Sequence, residues 1–412
     1  MASQTMAAES PKLMNEKQGI FSQPLAVWAV FCASVFTFMG MGLVNPILRE
    51  LSHQLHATPS EVSLLFTSYN AVMAVAMLIT ASVSSRLGIK LTLLAGMIII
   101  AAVSFCGGFA DNIWTLVGLR AGWGLGNALF VATALTAFVT LSNGGAAKAI
   151  ILYEAAAGIG MSVGPLLGGT LGSIAWPIPF FTVSGLMVII CIVLSTTMPK
   201  PAVSVAKRTK PKASLLDPFR ALKQHRSLLV LGIVAALYNI GFFTIMAYSP
   251  FVMGLNPQQM GFVFLGWGVL LAITSVFMAP LLQKKFGTIK AMCVMLALFV
   301  VDLAVMGVYA TTPAVVITAV ILAGGILGNI NTIITTAVMN AAPVERSTAS
   351  AAYSFLRFLG AAISPYMAGK LAEHFNSHVP FLVGAGFVLL SVLFIWSNYK
   401  HIRHIDYIDT SH

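Results

Sequence analysis

Runs of about twenty apolar residues recur along nearly the whole chain, separated by short polar or glycine- and proline-marked turns. Such a run, at 1.5 Å per residue, matches the roughly 30 Å of hydrocarbon in a bilayer. Inside lipid each backbone N–H and C=O must be satisfied within its own segment, so these runs form helices. Composition agrees, with 58% hydrophobic residues, 8% charged residues and a mean hydropathy of +0.91, against roughly 25% charge in soluble domains. Counting runs gives twelve helices. Those with readable ends are the first, at about 24–48, the fourth to sixth, at about 113–138, 149–173 and 178–198, and the seventh to twelfth, at about 227–254, 258–282, 290–310, 313–340, 348–372 and 378–398.

The expected fold is therefore all-α and membrane-embedded, with two six-helix bundles and both termini cytoplasmic. A tail over 1–23 precedes the first bundle over 24–198. A linker rich in lysine, arginine, proline and serine over 199–226 leads to the second bundle over 227–398, and a tail follows over 399–412. Threading twelve helices this way accounts for the net charge of +11. Of the 23 lysines and arginines, 19 fall on one side, which the positive-inside rule makes cytoplasmic; Arg49 and Lys370 stay on the outer face and Arg120 and Arg357 within helices. Little basic surface is left for nucleic acid. Cys32, Cys106, Cys191 and Cys293 lie inside apolar runs without metal-ligand spacing, and the eight histidines lie outside the spans, so neither metal nor cofactor is expected. Residues 1–23 lack the apolar core of a cleaved signal peptide.

The fifth helix carries Gly160, Gly164, Pro165, Gly168 and Gly169. Glycines at four-residue spacing give a smooth face on which a neighbouring helix can pack closely, and the proline adds a bend. The pattern returns two hundred residues later as Gly360 and Ser364-Pro365, with Gly168 paired to Gly369. The turn Arg86-Leu87-Gly88-Ile89-Lys90 returns as Lys285-Phe286-Gly287-Thr288-Ile289-Lys290. Parallel duplication of six helices places a substrate site near the midplane, between halves that move against each other. The glycines and prolines read as a hinge along that seam. Arg86, Gly88, Lys90, Gly287 and Lys290 read as tight basic turns or, because they repeat, as a gate.

These residues carry a family resemblance. The basic turn resembles the loop signature of the major facilitator superfamily, and Leu119-Arg120-Ala121-Gly122-Trp123-Gly124-Leu125-Gly126 resembles its helix 4 arginine motif. The stripe on the fifth helix is similar to the helix 5 motif of the superfamily's drug:proton antiporters, and Gly42 to Pro46 to the helix 1 signature of their twelve-helix group. Two positions depart from the pattern: Ser85 stands where the loop signature has aspartate, and the first helix has no acid between Pro24 and Leu48. The resemblance implies a proton-coupled exporter of small amphiphilic molecules or drugs, multi-pass in a bacterial inner membrane and monomeric. Export of one specific metabolite is the nearest alternative, and a membrane enzyme or receptor a remote one. Arg120 matches an arginine implied in proton transfer; binding backbone carbonyls is its alternative.

Of the twelve acids only Glu154 and Asp302 lie well inside the spans. An ionisable group there is costly and faces protein or water. Glu154 can carry the coupled proton or make a structural hydrogen bond between helices. Asp302 reads as a polar anchor in the second bundle, with a proton site as the alternative. Arg357 lies at a depth close to Glu154, as a cavity residue or a ligand for carbonyls or headgroups. Asn45, Tyr69, Asn70, Asn127, Tyr238, Asn239, Phe242, Asn329 and Asn331 can line a mainly apolar cavity. The amides are the better candidates because burying them unpaired is expensive.

Overall fold

The computed structural model describes residues 23–143, 145–198, 216–341, 343–344 and 346–408. The basic run over 200–212, Lys12, Lys17 and Glu345 lie outside them. Twelve long helices are present among the described residues: α1 (Leu25–Gly42), α2 (Pro59–Leu87), α3 (Ile89–Gly107), α4 (Ile113–Leu141), α5 (Gly145–Gly172) and α6 (Ile178–Thr197) before the linker. After it come α7 (Arg226–Val252), α8 (Pro257–Phe286), α9 (Thr288–Val308), α10 (Pro313–Asn340), α11 (Arg346–His374) and α12 (Val379–Ser397). Eleven are long and apolar enough to cross a membrane. The exception is α11, whose Arg357, Lys370 and Glu373 and many small residues lower its hydropathy.

Helix ends follow local chemistry. Thr58 and Asn256 begin α2 and α8 with capping boxes, each accepting from the backbone of the third helical residue, Glu61 or Gln259, whose side chain accepts in return. The turns α2–α3 and α8–α9 are built alike around Gly88 (φ +83°) and Gly287 (φ +81°), a left-handed conformation that favours glycine. Within α8 the chain widens into a π-turn over Thr274–Met278. Pro280 lies just beyond it; having no N–H and a ring that clashes with the carbonyl four residues back, it is accommodated by that shift in hydrogen-bond register.

Several ends differ from the sequence reading. The first run stops at Gly42 and continues as a 3₁₀ turn over Asn45–Ile47 and a short helix over Leu48–Gln54. Pro46 sets that turn. The linker, read as a polar loop, contains a helix over Asp217–Gln224 whose Phe219 packs edge-on against Phe355 of α11 at 5.3 Å. The C-terminal segment, read as a tail, forms short helices over Tyr399–Ile402 and Ile405–Ile408 and is docked. Ile402 and Ile405 are buried, and Asp406 accepts a 3.0 Å hydrogen bond from the Ile289 N–H, capping α9.

Buried apolar residues form two cores. One is drawn from residues 26–198 with only Ala247 added, the other from residue 221 onward. The halves meet along two long helix pairs, α2 with α11 and α5 with α8. The described N-terminal start and the C-terminal segment lie at the end carrying the basic turns, since Gln23 bonds to Asn143 and Asp406 to Ile289. This is termed the basic end.

Candidate functional site

Helix α5 has two working faces. On one, Gly160, Gly164 and Gly168 lie directly over the carbonyls of Val35 and Met39 on α1 and of Leu43 just past its end, two matching four-residue rows. On the other, Gly158 faces Ala272, Ser162 faces Gly268, Pro165 and Leu166 face Gly261, and Gly169 lies against Pro257 and Gly261, all on α8. Helix α11 copies the design. Gly360 lies over the Ala236 carbonyl of α7, the Ser364 hydroxyl donates to the Ile240 carbonyl at 2.5 Å, and Gly369 packs on Ser60 of α2.

This corrects two sequence expectations. The stripe of Gly160, Gly164 and Gly168 is not the seam between halves; it locks α5 to α1 within one half. The seam runs through Gly169 and residues at 158, 162, 165 and 166. The partner of Gly369 is Gly169, not Gly168, because these are the two glycines turned towards the opposite half. Pro165 also packs its ring on Gly42 of α1, and Pro365 lies inside α11 beside the Ser364 contact.

Close contacts between halves are concentrated away from the basic end. There Ser60 N–H donates to Glu373 at 3.0 Å, Asn45 donates to the Met246 sulfur at 3.3 Å, and Asn70 reaches the Ala361 carbonyl at 3.5 Å. Towards the basic end the basic turns bond within their own half. Lys90 Nζ donates to the Ser195 and Met198 carbonyls at 2.6 and 2.7 Å, closing the C-terminus of α6. Arg86 and Lys290 are exposed, and neither forms an ion pair among the described residues. The expected gate residues therefore do not bridge the halves in this state.

Glu154 lies one turn towards the basic end from Gly158, at the last close α5–α8 contact. Its side chain is exposed, and it has neither an ion pair nor a hydrogen bond among the described residues. Across the interface, Arg357 of α11 donates to Asn331 Oδ1 of α10 at 3.2 Å, and the Tyr238 hydroxyl of α7 donates to the same oxygen at 2.7 Å. The guanidinium sits 6.0 Å from the Tyr353 ring and 5.8 Å from the Phe358 ring, and its Nε is buried without a partner. Phe358 packs into the core of the first half. Three helices of the second half thus aim one cation at the seam, and α5 supplies one carboxylate.

Two tyrosines escaped the sequence reading. Tyr153, beside Glu154, packs edge-on against Phe38 and Phe138 at 5.7 and 6.1 Å. It stands two hundred residues before Tyr353, a spacing the repeat already contained.

Arg120 is buried away from these groups. It reaches the carbonyls of Gly40 and Met41 at 3.4–3.5 Å, in the last turn of α1, and lies 4.9 Å from the Tyr69 ring and 4.4 Å from that of Trp123. Terminal carbonyls carry the negative end of the helix dipole and lack intrahelical donors, so a cation belongs there. The Tyr69 hydroxyl accepts from Asn127. Asn239 and Asn329 donate back to Ala235 and Gly325 of their own helices, both at 2.8 Å, and Phe242 stacks on Trp267 at 5.9 Å. Asp302 is buried in α9 with Oδ2 unpartnered, so it does not form the expected anchoring hydrogen bond through that oxygen.

Two helical bundles, a duplicated close-packed helix facing its counterpart half and an intramembrane charge on each side of the seam define a membrane transporter. The family model of the Major Facilitator Superfamily matches residues 30–365 and 253–405, and the chain belongs to that family. It is 50% identical over 392 residues to the multidrug efflux protein YfmO of Bacillus subtilis, spanning 95% of this chain and 98% of that one. The quinolone resistance protein NorA of Staphylococcus aureus is 24% identical, over 88% and 94% of the two chains. Among solved structures, the nucleoside transporter NupG superposes with a TM-score of 0.74 at 13% identity, covering 91% and 99%. A bacterial homologue of the human lysosomal transporter Spinster, inward-facing and unoccupied, gives 0.72 at 14% identity, covering 92% and 98%.

Proposed function

We propose that this chain is a proton-coupled secondary transporter that exports small amphiphilic organic molecules, drugs included, by alternating access across a bacterial cytoplasmic membrane. The basic end is cytoplasmic by the positive-inside rule, and the two bundles, 24–198 and 227–398, act as the moving halves on either side of the 199–226 linker, within a monomer. The name of the half-identical Bacillus relative supports export of many compounds. The observation that carries the coupling is the exposed, unpaired Glu154 at the point where α5 and α8 part, opposite the Arg357 cluster.

In this reading Glu154 releases its proton at the basic end, where it is exposed, and takes one up when the halves reverse. Arg357 is the cation that faces this carboxylate across the seam. Tyr238 and Asn331 hold the guanidinium in place. Arg120 anchors the end of α1 and carries no proton step, and Asn45, Asn70 and Gly169 belong to the closure at the opposite end.

The test is transport into inverted vesicles driven by an imposed pH gradient. Glu154→Gln should abolish gradient-driven uptake of a fluorescent cationic dye and preserve substrate counterflow. Gradient-driven uptake that survives in the variant removes Glu154 from the coupling step. A panel of dyes and metabolites in the same vesicles separates broad export from export of one compound.

A further inference from the structure

At the end opposite the basic turns, a cavity of about 560 Å³ lies at the α5–α8 seam. Three segments line it: the short helix over Leu48–Gln54 through Glu50 and Gln54, the turn after α5 over 172–177, and the start of α8 over 256–258. Its walls thus come from both halves, next to the contact of Gly169 with Pro257 and Gly261. The volume falls within the roughly 300–1,000 Å³ of small-molecule sites, and neither Glu154 nor Arg357 lines it.

The lining favours a cation over an anion. Glu50 is its one charged side chain. Gln54 donates to Glu50 Oε1 at 2.7 Å and steadies the carboxylate, and no lysine or arginine pairs with it among the described residues. Helix α5 ends in the same wall at Gly172, bringing the negative end of its dipole. The start of α8 does not offset this, because its donors are already used. Asn256 Oδ1 accepts from the Gln259 N–H at 2.8 Å, Gln259 accepts from the Asn256 N–H at 3.2 Å, and Pro257 has no N–H. Trp176 supplies an aromatic surface. Half-buried and packed on Phe180 at 6.0 Å, its indole is held in place where an alkylammonium head can rest on a ring.

We infer that this cavity is a regulatory site for a water-soluble organic monocation, whose ammonium head is held between Glu50 and Trp176 and whose body reaches Asn256 and Gln258 on the other half. Such a ligand touches both walls only while the halves are together at this end. It therefore stabilises that state by its differential affinity and opposes the reversal of the halves. The effect on transport rests on the export reading above, whereas occupancy of the cavity does not require transport.

The experiment uses the full-length protein in phosphatidylcholine nanodiscs, and the probe is benzyltrimethylammonium carrying a photoactivatable diazirine on its ring. After illumination, label is expected on peptides containing residues 50–54, 172–177 and 256–258. Excess benzyltrimethylammonium should reduce it at least five-fold and excess benzyl alcohol should not. Glu50→Gln and Trp176→Leu should each reduce it at least five-fold, and Glu154→Gln should leave it intact. In right-side-out vesicles preloaded with a dye, external benzyltrimethylammonium should slow gradient-driven efflux at least five-fold, and Glu50→Gln should keep the basal rate and lose the inhibition. Label that persists in a folded Glu50→Gln variant, or that benzyl alcohol removes equally, overturns the inference. Label without inhibition in an exporting protein overturns the regulatory role, as does inhibition that survives Glu50→Gln. Glu50-dependent label on protein that moves no dye counts against the export reading alone, and export without that label against the site alone.

Discussion

Glycine serves two distinct purposes here, and substitutions separate them. Gly164 is required by proximity: a Cβ would strike the Met39 backbone of α1. Gly164→Val should cost about 1–3 kcal/mol, as overpacking does, and lower the thermal unfolding midpoint in detergent. Gly88 has open space around it but a φ of +83°, so Gly88→Ala should cost about 1–2 kcal/mol from backbone strain alone. Gly118, helical and with nothing within 4 Å, is the control, and Gly118→Ala should be neutral or stabilising by up to about 1 kcal/mol. Equal losses at all three would mean that neither packing nor dihedral is the cause. The four-residue spacing made close packing legible in the sequence. It did not say which neighbour receives the stripe, because a glycine row is equally smooth towards α1 or α8. Glu154 was legible as one of two deep acids, whereas Tyr153 looked like ordinary packing, since an aromatic residue in an apolar run carries no sign of its own.

At the scale of elements, helix ends carry the contact between halves. The first N–H of α2, on Ser60 just after Pro59, is an orphan donor that no residue of its own helix can satisfy, and Glu373 from the last turn of α11 accepts it while also pairing with Lys370 at 2.9 Å. The bond exists only while the halves are together at that end. Replacing Glu373 with alanine should therefore shift the population towards the opposite state by about 1 kcal/mol, the typical worth of a cap. Spin labels at the exposed His53 and Phe375 read this out: the long-distance fraction should rise in Glu373→Ala, and an unchanged distribution would show that the bond does not bias the halves. The sequence announced the start of α2 through Thr58, Pro59 and Glu61, but a cap supplied from 313 residues away leaves no local trace. Asp406 at α9 escaped for the same reason, since that cap depends on where the C-terminal segment arrives.

Across the whole molecule the duplication runs deeper than the two motifs that betray it. Gly124 lies over the Tyr69 carbonyl between α4 and α2, and Gly324 lies over the Trp267 carbonyl between α10 and α8. Each half is thus zipped internally by small residues, and the halves meet along the two long pairs α2–α11 and α5–α8. If the halves rock as bodies, fixing one point on the seam must stop the whole cycle. A Cβ built at Gly158 lies 3.4 Å from that of Ala272, close to the 3.5–4.5 Å separation found in disulfides. In a background with Cys32, Cys106, Cys191 and Cys293 replaced, Gly158→Cys with Ala272→Cys should cross-link under mild oxidation, stop transport nearly completely and recover on reduction. Each single variant should retain transport. Transport that continues through a fully formed cross-link would show that α5 and α8 stay together throughout the cycle, and the hinge would then have to lie within one half rather than between the two.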